Sequence, residues 1–192
     1  RSSDLVESLK GTQEINKVWL QTGLQDKIRN EITQLAKKRG LVIQQAPKSK
    51  LDELTDGGNH QGVVLSVAAF AYATVDDLFD FADAHHEAPF FLILDGIEDP
   101  HNLGSILRTA DAAGVHGIII PKRRAVQLTA TVAKISTGAI EHVPVARVTN
   151  LVNVVGELKD RGVWVFGTDM SGDDYRRWDA KGPTALVIGN EG

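Results

Sequence analysis

Three places in this 192-residue chain hold residues whose types and spacing could do chemistry. In the stretch Asp99-Pro100-His101-Asn102-Leu103-Gly104-Ser105-Ile106-Leu107-Arg108, an amide, a hydroxyl and a guanidinium recur at intervals of three. Glycine-bearing turns come later, at Gly167-Thr168-Asp169 and at Gly189-Asn190-Glu191-Gly192. Leu103, Ile106, Leu107 and Ala110 recur at i, i+3, i+4 and i+7, which makes one apolar helical face and leaves Asn102, Ser105 and Arg108 on the polar side. Glycines at strand ends let backbone amides approach a flat ligand, although the same glycines also serve as plain turns. Arg108 could likewise be an exposed helix charge and Asn102 a cap. No G-x-G-x-x-G turn and no G-x-x-x-x-G-K-[ST] loop is present, so the usual dinucleotide and nucleoside-triphosphate readings fall away. Cysteine is absent, which excludes disulfides, thiol catalysis and cysteine-ligated zinc. His85-His86 is a poor metal pair, because adjacent side chains on a helix point about 100° apart, and no metal site is expected.

The elements that must position these residues follow from periodicity. Phe90 to Ile97 is an apolar run without polar alternation, suited to a parallel strand covered on both faces. The turn Glu98-Asp99-Pro100 then opens a helix, with Asp99 or Asn102 as its cap, Pro100 suited to the first position and Gly114 as its end. Further strands are expected at Gly117 to Ile120, Val143 to Val148, Val163 to Phe166 and Thr184 to Ile188. Helices are expected between them near Leu128 to Ser136 and Leu151 to Lys159. Such alternation implies crossover connections and a parallel α/β sheet, whose carboxyl edge is where ligands usually sit. Trp164 reads as core, and Trp178, beside Tyr175 and Arg176-Arg177, as an edge cover able to stack on a base.

The part before it, Arg1 to Phe70, has the pattern of a small mixed α/β unit. Asp4 with Glu7 resembles a capping box for a short first helix. Strands are expected at Lys17 to Leu20, Leu41 to Gln45 and Val63 to Ala68, with helices from Leu24 to Arg39 and from Ser49 through Leu54. Residues 71–88 alternate acidic and apolar residues and are expected to form an acidic linker helix between residues 1–70 and residues 89–192. Charge follows the same division. Ten Lys/Arg stand against eight Asp/Glu in residues 1–70, none against eight in 71–101, and eleven against nine in 102–192. Both ends could therefore meet phosphate, whereas the middle would repel it. Lys37-Lys38-Arg39 suits a helix carboxyl end as well as a phosphate contact, and Lys122-Arg123-Arg124 suits a solvated loop as well as a phosphate contact. With no apolar run of membrane length and no leader pattern, the chain reads as cytosolic and without a membrane partner. It also reads as truncated at both ends, opening within a first helix and stopping one turn after a strand.

Asn102-Leu103-Gly104-Ser105-Ile106-Leu107-Arg108 resembles the first motif, N-x-G-x-x-x-R, of the SpoU/TrmH family of RNA ribose 2′-O-methyltransferases in the SPOUT superfamily. Leu186-Val187-Ile188-Gly189-Asn190-Glu191-Gly192 resembles the start of its second motif. The likeness extends through Asn59-His60-Gln61-Gly62-Val63, Leu94-Asp95-Gly96-Ile97-Glu98-Asp99-Pro100 and Pro121-Lys122-Arg123-Arg124, and so spans nearly the whole chain. It is strongest to bacterial members that methylate a guanosine ribose in large-subunit ribosomal RNA. The family's third motif, rich in Ser, Leu and Asn, would follow Gly192.

The resemblance implies an RNA substrate-binding domain in residues 1–70, similar to a ribosomal protein. It implies a methyltransferase domain in residues 89–192 with a trefoil-knotted cleft for S-adenosylmethionine, and a homodimer formed through that domain. Arg108, Asn102 and Glu191 would be catalytic, and Thr168, Gly189, Asn190 and Gly192 would hold the cofactor. His101, Lys122, Arg123, Arg124, Lys37 and Lys38 would contact ribosomal RNA. A guanidinium is too weak an acid to act comfortably as a base, so Arg108 is expected to hold a phosphate or stabilise a developing alkoxide, with Asn102 and Glu191 orienting the nucleotide and Arg108. Two rival readings are a non-catalytic RNA-binding protein on the same fold and a nucleotide-dependent oxidoreductase, the latter lacking its fingerprint.

Overall fold

A computed structural model of the protein describes residues 9, 14–167 and 182–189. The chain divides into two compact units, one as far as Ala69 and one from Phe70.

The first unit is built on β1 (Ile15–Gln21), α1 (Asp26–Lys38), β2 (Ile43–Ala46), α2 (Lys48–Leu54) and β3 (Val63–Val67). Its sheet runs β2-β1-β3, with β1 parallel to β2 and antiparallel to β3. Val18 pairs with Ile43 on one side and Leu65 on the other, so these three share a face of the pleat. Together with Leu20 and Val63 they pack against Ile28, Ile32, Leu35 and Ala36 of α1, while Leu9 and Ile15 complete the core. The expected capping box of Asp4 and Glu7 lies outside the described residues.

The Asn59-to-Val63 stretch is a turn held by a buried histidine. His60 Nδ1 accepts a hydrogen bond from the backbone N–H of Gly62 at 3.0 Å, so Nε2 carries the proton and donates to Asp52 Oδ1 at 2.6 Å. That bond holds the Asp52 carboxyl below the usual carboxylate range. Because the folded value is depressed, the contribution to stability is fully present above about pH 4 and is lost as pH falls through the folded value. Gly62 has φ of +84°, so its conformation favours glycine, and a Cβ there would displace Leu24 Cδ1, 2.6 Å away at the end of a flexible side chain.

The second unit contains α3 (Val75–Ala84), β4 (Phe90–Asp95), α4 (Pro100–Ala113), β5 (Gly117–Pro121), α5 (Ala130–Ile135), β6 (Val145–Val148), α6 (Leu151–Asp160), β7 (Trp164–Gly167) and β8 (Thr184–Gly189). The five strands form one parallel sheet in the order β6-β5-β4-β8-β7. One face packs Leu92, Leu94, Ile118 and Ile120 against Leu103, Leu107 and Ala110 of α4 and Val132 of α5. The other packs Phe91, Ile93, Ile119 and Ala185 against Leu78 of α3 and Val154 and Leu158 of α6. The apolar runs β4 and β5 are thus covered on both faces, as their lack of alternation requires.

Two expectations are corrected. Residues 71–88 are not a linker, because the helix they contain is part of the second unit's core. Thr74 caps α3 in a capping box with Asp77, and Leu78 is fully buried. A Cβ on Gly117 of β5 would lie 2.7 Å from Leu78 Cδ1, so glycine there lets the helix sit directly on the sheet. Arg161 closes the outer side by pairing with Asp76 at 2.7 Å and lying 3.6 Å over the Phe79 ring. The acidic residues occupy only the exposed side. Trp164 is not core either, being 68% exposed. It lies on edge strand β7, and the apolar face cover that buries Leu92 and Ile118 comes from α4 and α5, which leave Trp164 and Phe166 exposed.

Limited chymotrypsin digestion should therefore cut first at Phe70, which is exposed at the junction, and spare Phe79 and Phe81 within α3. First cleavage at Phe79 or Phe81 would mean that α3 does not dock.

Candidate active site

Parallel strands send all their carboxyl ends to one edge, and here the strand order reverses at β4. From β4 the chain winds to β5 and β6, then crosses to β7 on the opposite margin and returns to β8 beside β4. Asp95, the last residue of β4, pairs with Gly189, the last of β8. Between strand ends at such a switch point a crevice opens, the usual ligand position in an α/β sheet. Asp95 and Gly189 are both exposed.

Helix α4 leaves that crevice. Asp99 is its N-cap, accepting from the His101 backbone N–H at 2.8 Å, Pro100 takes the first helical position, and Gly114 ends the helix with φ of +73°. The choice between Asp99 and Asn102 as cap thus falls to Asp99, which frees the Asn102 side chain. Leu103, Leu107 and Ala110 are buried, and His101, Asn102, Ser105 and Arg108 are exposed. Among the described residues Arg108 makes no ion pair or side-chain hydrogen bond. A guanidinium without an internal partner keeps its donors available for an anion.

The glycine of this stretch has a packing role that periodicity alone did not assign. Gly104 is buried where α4 crosses α5, and a Cβ on it would lie 2.7 Å from Ile135 Cβ and 3.3 Å from the Ile135 carbonyl carbon, with Ile135 Cγ2 closer still. The missing side chain lets the two helices touch, and that contact fixes the rotation of α4 on which Asn102 and Arg108 are carried. A glycine lying between Leu103 and Leu107 on an apolar helical face was the available signal.

The same edge carries the basic loop. β5 ends at Pro121, opposite Val148, and Lys122 donates its backbone N–H to the Val148 carbonyl at 2.9 Å. Arg123 and Arg124 are exposed beyond it, and Val126 ties the loop to the β4–α4 turn through the Ile97 carbonyl at 2.9 Å. Lys37 and Lys38 belong to the other unit, exposed in the last turn of α1. Their neighbour Arg39 donates to the Leu9 carbonyl at 3.0 Å. Glu191, Thr168, Asn190 and Gly192 lie outside the described residues, as do Tyr175 and Trp178. Of the expected cofactor residues, Gly189 alone is described. No group of three or more His, Asp or Glu among the described residues is placed to hold a metal ion, and no helix among them is long and apolar enough to cross a membrane.

Fold and edge together define a class. The crystal structure of the SpoU methyltransferase AviRb from Streptomyces viridochromogenes, in complex with AdoMet, superposes with a TM-score of 0.54 at 23% identity, covering 100% of this chain and 71% of that one. The AdoMet-bound rRNA methyltransferase from Sinorhizobium meliloti gives a TM-score of 0.54 at 27% identity, over 97% of this chain and 67% of that one. The architecture is that of the SpoU methyltransferases.

Residues 89–192 match the SpoU rRNA Methylase family, and residues 5–73 match the RNA 2′-O ribose methyltransferase substrate binding family. A Bacillus subtilis (strain 168) protein named "Putative TrmH family tRNA/rRNA methyltransferase YacO" is 56% identical over 98% of this chain and 76% of its own length. A TrmH family relative from Staphylococcus haemolyticus (strain JCSC1435) is 51% identical over 97% of this chain and 75% of its own. The chain belongs to the SpoU rRNA methylase family, with a substrate-binding unit ahead of the methylase unit.

Proposed function

We propose that the protein transfers a methyl group from S-adenosylmethionine to a ribose 2′-hydroxyl in RNA, that of a guanosine in large-subunit ribosomal RNA. The observation that carries this reading is the meeting, at one sheet edge, of the β4–β8 switch point with a helix that presents Asn102 and Arg108. The substrate-binding family matched by residues 5–73 supports RNA and ribose as the target. The family resemblance also carries a trefoil-knotted cleft and a homodimer through the second unit.

The residues present fit the cofactor. A Cβ built on Gly167 or on Gly189, at the ends of β7 and β8, would meet nothing within 4 Å among the described residues, which leaves the backbone at both strand ends open to a flat ligand on their side. Gly189, with Thr168, Asn190 and Gly192, would hold it through main-chain groups. When bound, the cofactor supplies an electrophilic methyl carried on a sulfonium. Arg108 stabilises the ribose oxygen as its negative charge develops, or anchors the adjoining phosphate, while the hydroxyl proton leaves to phosphate or water. Asn102 and Glu191 orient the nucleotide and the guanidinium. His101, at the start of α4, and Lys122, Arg123 and Arg124 on the neighbouring loop would bind RNA phosphates at the same edge, and Lys37 and Lys38 would bind them on the first unit.

Calorimetric titration separates this reading from its rivals. S-adenosylmethionine should bind and NADH should not. Binding of NADH would assign an oxidoreductase, and binding of ribosomal RNA without the sulfonium cofactor would assign a non-catalytic RNA binder.

A further inference from the structure

Behind the basic loop lies a buried polar lock that the methyl-transfer reading does not use. Gln127 stands between Val126 and Leu128 in a run that is otherwise apolar, and it is 7% exposed. Its side-chain amide donates to the Pro121 carbonyl at 3.0 Å and to the Ala125 carbonyl at 3.1 Å, so it spans the loop from inside. Its Oε1 accepts from the Tyr72 hydroxyl at 3.4 Å, and that hydroxyl also accepts the Leu128 backbone N–H at 3.0 Å. The Tyr72 ring is held in turn by Arg147 of β6, whose guanidinium lies 4.2 Å over it. Next to Tyr72, Ala73 bridges to β6 and donates to the Val145 carbonyl at 2.8 Å, which fixes the segment on which the tyrosine is carried.

Both ends and the middle of the loop are thus bonded from below, while Arg123 and Arg124 point into solvent. Arg124 has φ of +54°, a conformation that costs an arginine energy and persists only where the surroundings enforce it. A freely hinged loop would lose ordering entropy on binding a phosphate backbone, and a locked one has already lost it.

We infer that Tyr72 and Gln127 are positioning residues for RNA, holding the loop at residues 121–128 in the shape that presents Arg123 and Arg124 to the phosphates of the substrate. The inference rests on the reading of that loop as an RNA contact, and it names two residues, one from the start of the second unit, through which the contact is set. Tyr72→Phe removes only the hydroxyl, leaves the ring under Arg147, and should fold normally. Gln127→Met keeps size and removes the amide, and serves as the second variant.

The test is methyl transfer to an unmodified large-subunit rRNA transcript, read as KM and kcat separately, together with the salt dependence of RNA binding. Tyr72→Phe should raise KM for RNA about fivefold and leave kcat and S-adenosylmethionine affinity within about twofold, and Gln127→Met should give the same split. Arg123→Ala with Arg124→Ala should weaken RNA binding and lower the slope of log K against log salt by about two, one per phosphate contact. In that double-alanine background Tyr72→Phe should add nothing, because residues acting through one another are not additive. An undiminished effect of Tyr72→Phe in that background, or no effect of it in the native one, would overturn the positioning role. Unchanged RNA binding by the double-alanine variant would overturn instead the reading of the loop on which it rests.

Discussion

Replacement of Arg108 by alanine is expected to lower methyl transfer at least about a hundredfold, about 2.7 kcal/mol of barrier, with S-adenosylmethionine affinity within a few fold of the native protein. A side chain that meets charge only as it develops acts on rate and leaves ground-state binding nearly untouched. The position suits that role, since Arg108 is exposed on the polar side of α4 and makes no ion pair among the described residues. Loss of its charge therefore breaks no ion pair or side-chain hydrogen bond among the described residues, and the melting midpoint should hardly move. Arg108→Lys should fail as well, because an ammonium cannot supply the planar fork of donors that a guanidinium offers. Single-turnover kinetics on the two variants decide the matter. A lysine variant at near-native rate would remove Arg108 from the reaction and leave it as an exposed helix charge.

Gly104→Ala should show the converse pattern, a loss of stability from a residue that touches no substrate. Its Cβ would stand 2.7 Å from Ile135 Cβ, a separation that real Cβ atoms do not adopt, so α4 and α5 must part or α4 must turn. Overpacking of this kind costs about 1–3 kcal/mol. Denaturant unfolding should show that loss, and activity should fall with it, because Asn102 and Arg108 ride on the same helix. Ile135→Ala removes the Cγ2 that lies nearest and should make Gly104→Ala less costly in its presence than in the native protein. Equal costs in both backgrounds would assign the clash to the Ile135 Cβ, which alanine keeps, and an undiminished stability of Gly104→Ala in the native background would show that the two helices do not meet at this glycine.

The sequence made the skeleton of the second unit legible for a physical reason. Strands buried on both faces are continuous apolar runs, as at Phe91 to Leu94, and helices with one buried face carry their apolar residues at helical spacing, as at Leu103, Leu107 and Ala110. The polar face of α4 could be read in the same way. What stayed hidden depends on neighbours distant along the chain. Asp76, Asp77, Asp80 and Asp83 gave residues 71–88 the composition of a solvated linker, while Leu78 and Gly117, 39 positions apart, carry the contact that makes α3 part of the core. Trp164 lies in a strand as apolar as its neighbours and is exposed because that strand falls at the sheet margin, which only the strand order decides. Nothing in the local sequence marks Gln127 as buried, and its partner Tyr72 precedes it by 55 positions. The choice of Asp99 over Asn102 as cap likewise needed the turn geometry, since both residue types cap helices well.

The central claim is that this edge methylates a ribose oxygen. Its most direct test is incubation of the full-length protein with unmodified large-subunit ribosomal RNA and methyl-labelled S-adenosylmethionine, followed by alkaline hydrolysis and mapping of the labelled position. A 2′-O-methyl ribose cannot form the cyclic phosphate through which alkali cleaves RNA, so the label should emerge in an alkali-resistant dinucleotide, at a guanosine, and should vanish with Arg108→Ala. Label recovered on a base, in a nucleotide released normally by alkali, would contradict it.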